Sequence, residues 1–225
     1  MEQILIEINM KNYPNIYFMG IGGIGMSALA RYFMHEGRAV AGYDRTETPL
    51  TQALQAEGAY VTYDDEVESI PEAFRNPETT MVVFTPAVPV DHPQMRFFSE
   101  GGFLVEKRSQ MLGHLSEGKY VMAVAGTHGK TTTSTLIAWL NSATGVGGNA
   151  FLGGISKNFN GNMVLGEGNR LAVEADEFDR SFLRLKPDVA VITSVAADHL
   201  DIYGTFEAVV EAFGQFAALI KKGGA

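Results

Sequence analysis

Hydrophobic positions along the chain alternate between two periods. Short apolar runs at 15–19, 39–43, 59–63, 80–84, 102–105, 119–124, 170–174 and 188–193 read as buried strands. Between them, apolar residues recur every three to four positions over 25–36, 49–57, 92–100, 108–116, 130–140 and 205–221, the spacing of helices with one buried face. This alternation predicts α/β layers with mainly parallel sheets. The polar stretch Ser116-Glu117-Gly118-Lys119 lies between two complete-looking units. The boundary is placed there, giving domains over 1–117 and 118–225. Segment 141–169 is rich in Gly and Asn and weakly periodic. It reads either as a long flexible loop or as a substrate-facing loop with short strands. The second unit offers only three clear strands, which is thin for an α/β nucleotide domain. The expectation is a domain cut short.

Composition narrows the function classes. The chain has 225 residues, 46% of them hydrophobic, enough for one large domain or two small ones. A net charge of −9 with no basic run argues against nucleic-acid binding. Phosphate affinity must then come from a few placed groups. With no cysteine there is neither a disulfide nor a thiolate metal site, which fits a reducing compartment. The start, Met-Glu-Gln-Ile-Leu-Ile-Glu-Ile, lacks the cationic and long apolar regions of a signal peptide. No apolar run approaches the roughly 18 residues of a membrane span.

Candidate chemistry concentrates at strand ends. The run Tyr120–Val124 leads into Gly126-Thr127-His128-Gly129-Lys130-Thr131-Thr132-Thr133 and then a helical pattern. Strand, glycine turn and helix N-terminus make a phosphate cradle in which Lys130 reaches the β/γ-phosphates and the Thr131 hydroxyl holds Mg²⁺. The loop is shorter than the standard pattern, since only Thr127 and His128 separate Gly126 from Gly129. A chance Gly-Lys-Thr in a surface turn is the bland alternative.

A second phosphate-type loop, Gly20-Ile21-Gly22-Gly23-Ile24-Gly25, sits between the first strand and the first helix. The next strand ends in Asp44, at the distance where a carboxylate meets a ribose hydroxyl. These features indicate a nucleotide without saying which, and NAD is the default for this half alone. Thr85-Pro86-Ala87-Val88 forms another strand-end turn able to share a diphosphate. Lys107 and Arg108 add charge near strand 102–105, or form a solvated pair at a helix start.

Glu174 ends an apolar strand beside the Lys130 loop, where a Mg²⁺ ligand belongs. Asp176 and Glu177 read better as caps of a following helix. Asp198-His199-Leu200-Asp201 puts three potential ligands on one turn at another strand end. His199 reads as a metal or phosphate group there, and Asp201 equally as a cap of the last helix.

Taken together, these segments resemble the Mur ligases, which build the peptide of bacterial peptidoglycan. Gly126–Thr133 looks like the family's ATP loop, and Glu174–Glu177 and Asp198–Asp201 like its two metal-site motifs. Residues Gly20–Ala30, Gly42-Tyr43-Asp44, Thr85–Val88 and Phe151–Ser156 are similar to the alanine-adding branch, with the tripeptide-recycling branch second. The resemblance implies a Rossmann-like N-terminal domain that binds a UDP-sugar through Gly20, Gly22, Gly23, Gly25, Asp44, Thr85, Pro86, Ala87, Lys107 and Arg108. It implies a truncated P-loop-type α/β ATP-binding domain next, with Gly126 to Thr132 on ATP. Lys130, His128, Glu174 and His199 become the catalytic candidates, and Thr131, Glu174 and His199 the metal ligands.

Implied ligands are ATP, Mg²⁺ (with Mn²⁺ able to substitute), UDP-N-acetylmuramate and L-alanine. The implied compartment is the bacterial cytoplasm. The family's third domain, which takes the incoming amino acid, has no counterpart here. Several relatives use a carbamylated lysine soon after the Asp-His motif, whereas the first lysine after His199 is Lys221, too far along. A dehydrogenase fused to a P-loop unit, and a nucleotide-sugar binding module without catalysis, stay open as alternatives.

Overall fold

The computed structural model describes residues 12–178 and 180–225. The segment read as lacking a signal peptide lies outside them.

Five parallel strands form the first sheet: β1 (Asn15–Met19), β2 (Ala39–Tyr43), β3 (Tyr60–Thr62), β4 (Thr80–Phe84) and β5 (Leu104–Lys107), in the order β3-β2-β1-β4-β5. This is a doubly wound order, with the order of the strands reversing between β1 and β4. Helices α1 (Ile24–His35), α2 (Pro49–Ala56), α3 (Pro93–Glu100) and α4 (Arg108–Ser116) connect the strands. Helix α1 forms because Met26, Leu29, Ala30 and Phe33 fall on one stripe, and all four are buried. β1 sits at the sheet centre, where Ile16, Tyr17, Phe18 and Met19 are all fully buried.

The second sheet runs β10-β6-β9-β7-β8. Strands β6 (Tyr120–Ala125), β7 (Asn149–Ser156), β9 (Arg170–Glu174) and β10 (Val189–Ile192) are parallel, while β8 (Gly161–Val164) is antiparallel to β7. Helix α5 (Lys130–Ala143) follows β6, and α6 (Leu200–Tyr203) and α7 (Phe206–Ala217) follow β10.

Five strands, not three, therefore build this sheet, and 141–169 is no flexible loop. Its strands are hard to read because β7 carries Gly153-Gly154 and shifts register between Phe151 and Ser156, while β8 is only four residues long. The last helix stops at Ala217 rather than 221 and is capped by Thr205, whose hydroxyl accepts from Ala208 N–H at 3.2 Å. Asp201 lies in the first turn of α6 and does not cap it.

The hairpin β7–β8 joins the two sheets. Asn162 is fully buried; its amide nitrogen donates to Ile24 O and to Ser27 Oγ (3.0 Å), and its oxygen accepts from Arg31 Nη1 at 2.6 Å. The rings of Tyr32 and Phe151 pack 5.7 Å apart across the same seam.

At the opposite end of the second sheet, Asp188 Oδ2 accepts from Lys221 Nζ (2.8 Å) and Val121 N–H (2.7 Å). Burial alone would raise the Asp188 pKa, but these donors outweigh it and hold the carboxyl below its ordinary value. A depressed folded-state pKa stabilises above the unfolded value, and that stability is lost as pH falls through the folded one. Asp188→Asn is therefore expected to cost about 1–3 kcal/mol at neutral pH. The deficit should shrink as pH falls from about 5 toward 2. Thermal melts of both proteins across that range check this; a pH-independent difference would refute it.

Candidate functional site

Helices α1 and α5 each follow a glycine loop and begin without a side-chain cap. The N-cap of α1 is Gly23 and that of α5 is Gly129, neither position supplying a side-chain oxygen, whereas Thr48 and Thr205 cap α2 and α7. An uncapped first turn leaves backbone N–H groups and the positive end of the helix dipole for an anion.

In the first loop, Gly20 takes φ +86° and donates to Tyr43 O at 2.8 Å. A Cβ on Gly20 would come within 2.5 Å of Thr85 Cγ2, so the Thr85-Pro86-Ala87 turn lies directly against the loop. Asp44 is spent on the loop itself: Oδ2 accepts from Gly22 N–H at 2.7 Å and Oδ1 from Thr46 N–H at 3.3 Å. Lys107 ends β5 with its side chain exposed. Arg108 turns inward, because a Cβ on Gly25 would stand 2.7 Å from Arg108 Nη1.

His92 was not picked out by the sequence. It follows the Thr85 turn, packs 4.4 Å from the Tyr43 ring, and neither ring nitrogen has a hydrogen-bond partner among the described residues. Burial lowers its pKa.

In the second loop, Gly126 takes φ +133° and Gly129 φ +85°. Thr127 N–H and His128 N–H are bonded to Ser194 O and Ser194 Oγ, each at 3.0 Å, which ties the loop to the chain after β10. The His128 side chain is exposed, as is that of Thr132. Lys130 Nζ donates to Gly126 O (2.6 Å) and to Glu177 Oε1 (2.8 Å). Thr131 Oγ1 donates to Glu174 Oε1 at 3.1 Å, and Glu174 Oε2 accepts from Gly153 N–H at 2.8 Å.

The two loops face one cleft of about 250 Å³, lined by Gly25 and Arg108 from the first unit and by Lys130, Gly153, Glu174 and Asp176 from the second. Asp176 Oδ2 meets Arg108 Nη2 at 3.3 Å across it. Asp176 Oδ1 also accepts from Phe178 N–H at 3.1 Å, a local turn contact and not the helix cap expected of it, since the next helical turn, Ser181–Arg184, has Arg180 at its N-cap and no side-chain cap. Glu177 caps nothing; it is buried against Lys130. His199, at φ +53°, lies 4.0 Å from Glu177 Oε1 and 3.9 Å from Asp198 Oδ2.

The three-ligand turn expected at 198–201 does not form. No group of three or more His, Asp or Glu gathers at metal-binding geometry among the described residues. Thr131 and Glu174 still present two hard oxygens side by side. Such a pair suits Mg²⁺, which takes one or two protein oxygens and fills its octahedron with phosphate oxygens and water.

Fold and cleft together define a two-unit α/β protein with paired glycine loops at strand ends facing a shared space. Residues 15–120 match the Mur ligase family, catalytic domain, and 124–225 the Mur ligase middle domain. The chain belongs to the Mur ligase family.

A curated relative from Phocaeicola vulgatus, named UDP-N-acetylmuramate--L-alanine ligase, is 52% identical over 219 residues, 97% of this chain and 48% of the relative. One of the same name from Porphyromonas gingivalis is 51% identical over 211 residues, 93% of this chain and 46% of the relative. The chain thus spans about half the length of these relatives. The solved UDP-N-acetylmuramate-alanine ligase from Thermotoga maritima superposes with TM-score 0.81 at 30% identity, covering 92% of this chain and 47% of that one. A UDP-N-acetylmuramate:L-alanyl-gamma-D-glutamyl-meso-diaminopimelate ligase from Neisseria meningitides gives 0.84 at 25% identity, covering 94% and 70%.

Proposed function

We propose that this chain carries the nucleotide-sugar and ATP-handling parts of an ATP-dependent ligase that joins L-alanine to UDP-N-acetylmuramate in the bacterial cytoplasm. The observation that carries this reading is the shared cleft, with Arg108 and Gly25 on one wall and Lys130 and Glu174 on the other. A carboxylate presented from the first loop would lie beside a γ-phosphate held by the second. The division of labour follows the two sheets, with 1–117 for the UDP-sugar and 118–225 for ATP. Relatives near 50% identity favour alanine over a tripeptide as the incoming group.

In the proposed reaction the muramate carboxylate oxygen bonds to the γ-phosphorus and ADP leaves. The alanine amine then attacks the acyl carbon and inorganic phosphate departs. Lys130 neutralises charge developing on the transferred phosphoryl group, and Arg108 holds the attacking carboxylate against its own repulsion from the phosphates. Thr131 and Glu174 would hold Mg²⁺, and His199 a second ion, with Mn²⁺ able to replace either. A bound metal would supply further charge neutralisation to the phosphates.

Calorimetry on this chain tests the sugar-nucleotide assignment. UDP-N-acetylmuramate should bind and NADH should not. The reverse result would favour the dehydrogenase reading of the Gly20–Gly25 loop.

A further inference from the structure

Glu177 is a buried carboxylate with one oxygen unsatisfied. Only 3% of it is exposed, Oε1 accepts from Lys130 Nζ at 2.8 Å, and Oε2 has no partner among the described residues. Leaving a carboxylate oxygen dry and unpaired is costly, so its location calls for a reason. Its backbone is fixed, since Tyr203 Oη donates to Glu177 O and Arg180 N–H bonds the same oxygen at 3.0 Å. The carboxylate therefore points at Lys130 by construction. The next side chain toward it is the His199 imidazole, 4.0 Å from Oε1.

We infer that Glu177 is a positioning residue that occupies the place of a phosphate partner for Lys130. It holds the Lys130 ammonium folded back, and it gives the lysine up when a triphosphate arrives. Lys130 Nζ is held by both Gly126 O and Glu177 Oε1. To reach a β/γ-phosphate cradled by the α5 N-terminus it must leave the carboxylate. Breaking that pair subtracts from the binding free energy, and a second anion near the phosphates subtracts more. Glu177 thus lowers the affinity of the loop for polyanions while keeping the lysine ordered. When the lysine departs, the carboxylate is left facing the His199 imidazole. This inference rests on the ATP reading of the loop given above.

The test is calorimetric titration of Mg-ATP into this chain and its variants. Glu177→Gln keeps the shape and removes the charge, and should bind about ten-fold more tightly, the worth of one charge-assisted hydrogen bond released. Lys130→Ala should bind at least ten-fold more weakly. In the double variant the gain should vanish, because it acts through Lys130. Glu177→Asp, with its carboxylate drawn back, should fall between wild type and Glu177→Gln.

A merely structural carboxylate would give equal or weaker binding on substitution, and that outcome overturns the inference. So does a gain that persists without Lys130, absence of binding by both wild type and Glu177→Gln, or failure of the Gln and Asp variants to fold. Wild-type affinity in Lys130→Ala would instead overturn the ATP reading itself.

Discussion

Lys130→Ala is expected to lower ligation by at least about 10²-fold, measured in the longer ligase that contains these residues, with UDP-sugar affinity unchanged. Lys130 Nζ donates to Gly126 O, and the residue lines the shared cleft. Its charge matters most when negative charge builds on the γ-phosphoryl group in transit, so the loss falls on turnover more than on ground-state binding of the sugar. The UDP-sugar loop is built from β1, β2 and α1 and shares no backbone with the lysine. Steady-state kinetics at saturating ATP, beside calorimetry with the UDP-sugar, separates the two effects. Near-normal turnover would remove Lys130 from the proposed chemistry.

Gly126→Ala should be strongly damaging to the second unit. At φ +133° an L-residue is strained, and the new Cβ would overlap Thr193 Oγ1 and lie 2.9 Å from Ser194 N and 3.0 Å from Thr193 N. Backbone atoms of a neighbouring strand end cannot step aside as a flexible side chain can. Strain and overpacking together put the cost at about 2–5 kcal/mol. For a chain of this size that is a fall in Tm of roughly 5–15 °C. Gly214→Ala is the matched control. Gly214 is inside α7 with nothing within 4 Å of its Cβ position, so alanine should be neutral or stabilise by about 0.5–1 kcal/mol. Melting curves that ranked the two the other way would show that the loop accommodates a side chain.

Much of this was written in local pattern. The apolar stripe of α1 and the unbroken apolar run of β1 each specify their own element, because a 3.6-residue or two-residue period needs no distant information. Both glycine loops were readable for the same reason: strand, turn and helix are consecutive. Contacts that span the chain were not readable. Glu177 meets Lys130 across 47 positions and Arg108 meets Asp176 across 68, so the partner of each charge depends on how strand ends line up in the finished sheet. Sequence reasoning assigned Glu177 to a helix cap because a carboxylate after a strand is ambiguous until its neighbours are known. The hairpin over 149–164 was hidden by its glycines, which weaken the period while allowing the bend that brings Gly153 N–H to Glu174.

That hairpin has a mechanical consequence. Asn162 uses both ends of its amide on α1, so prising the units apart would break three hydrogen bonds of a buried side chain at once. The same ribbon holds Glu174 through Gly153. The sugar side and the ATP side are therefore bolted to one beam. Whatever swings during turnover must hinge elsewhere, and a ligand that shifts one loop tugs on the other with equal and reciprocal leverage.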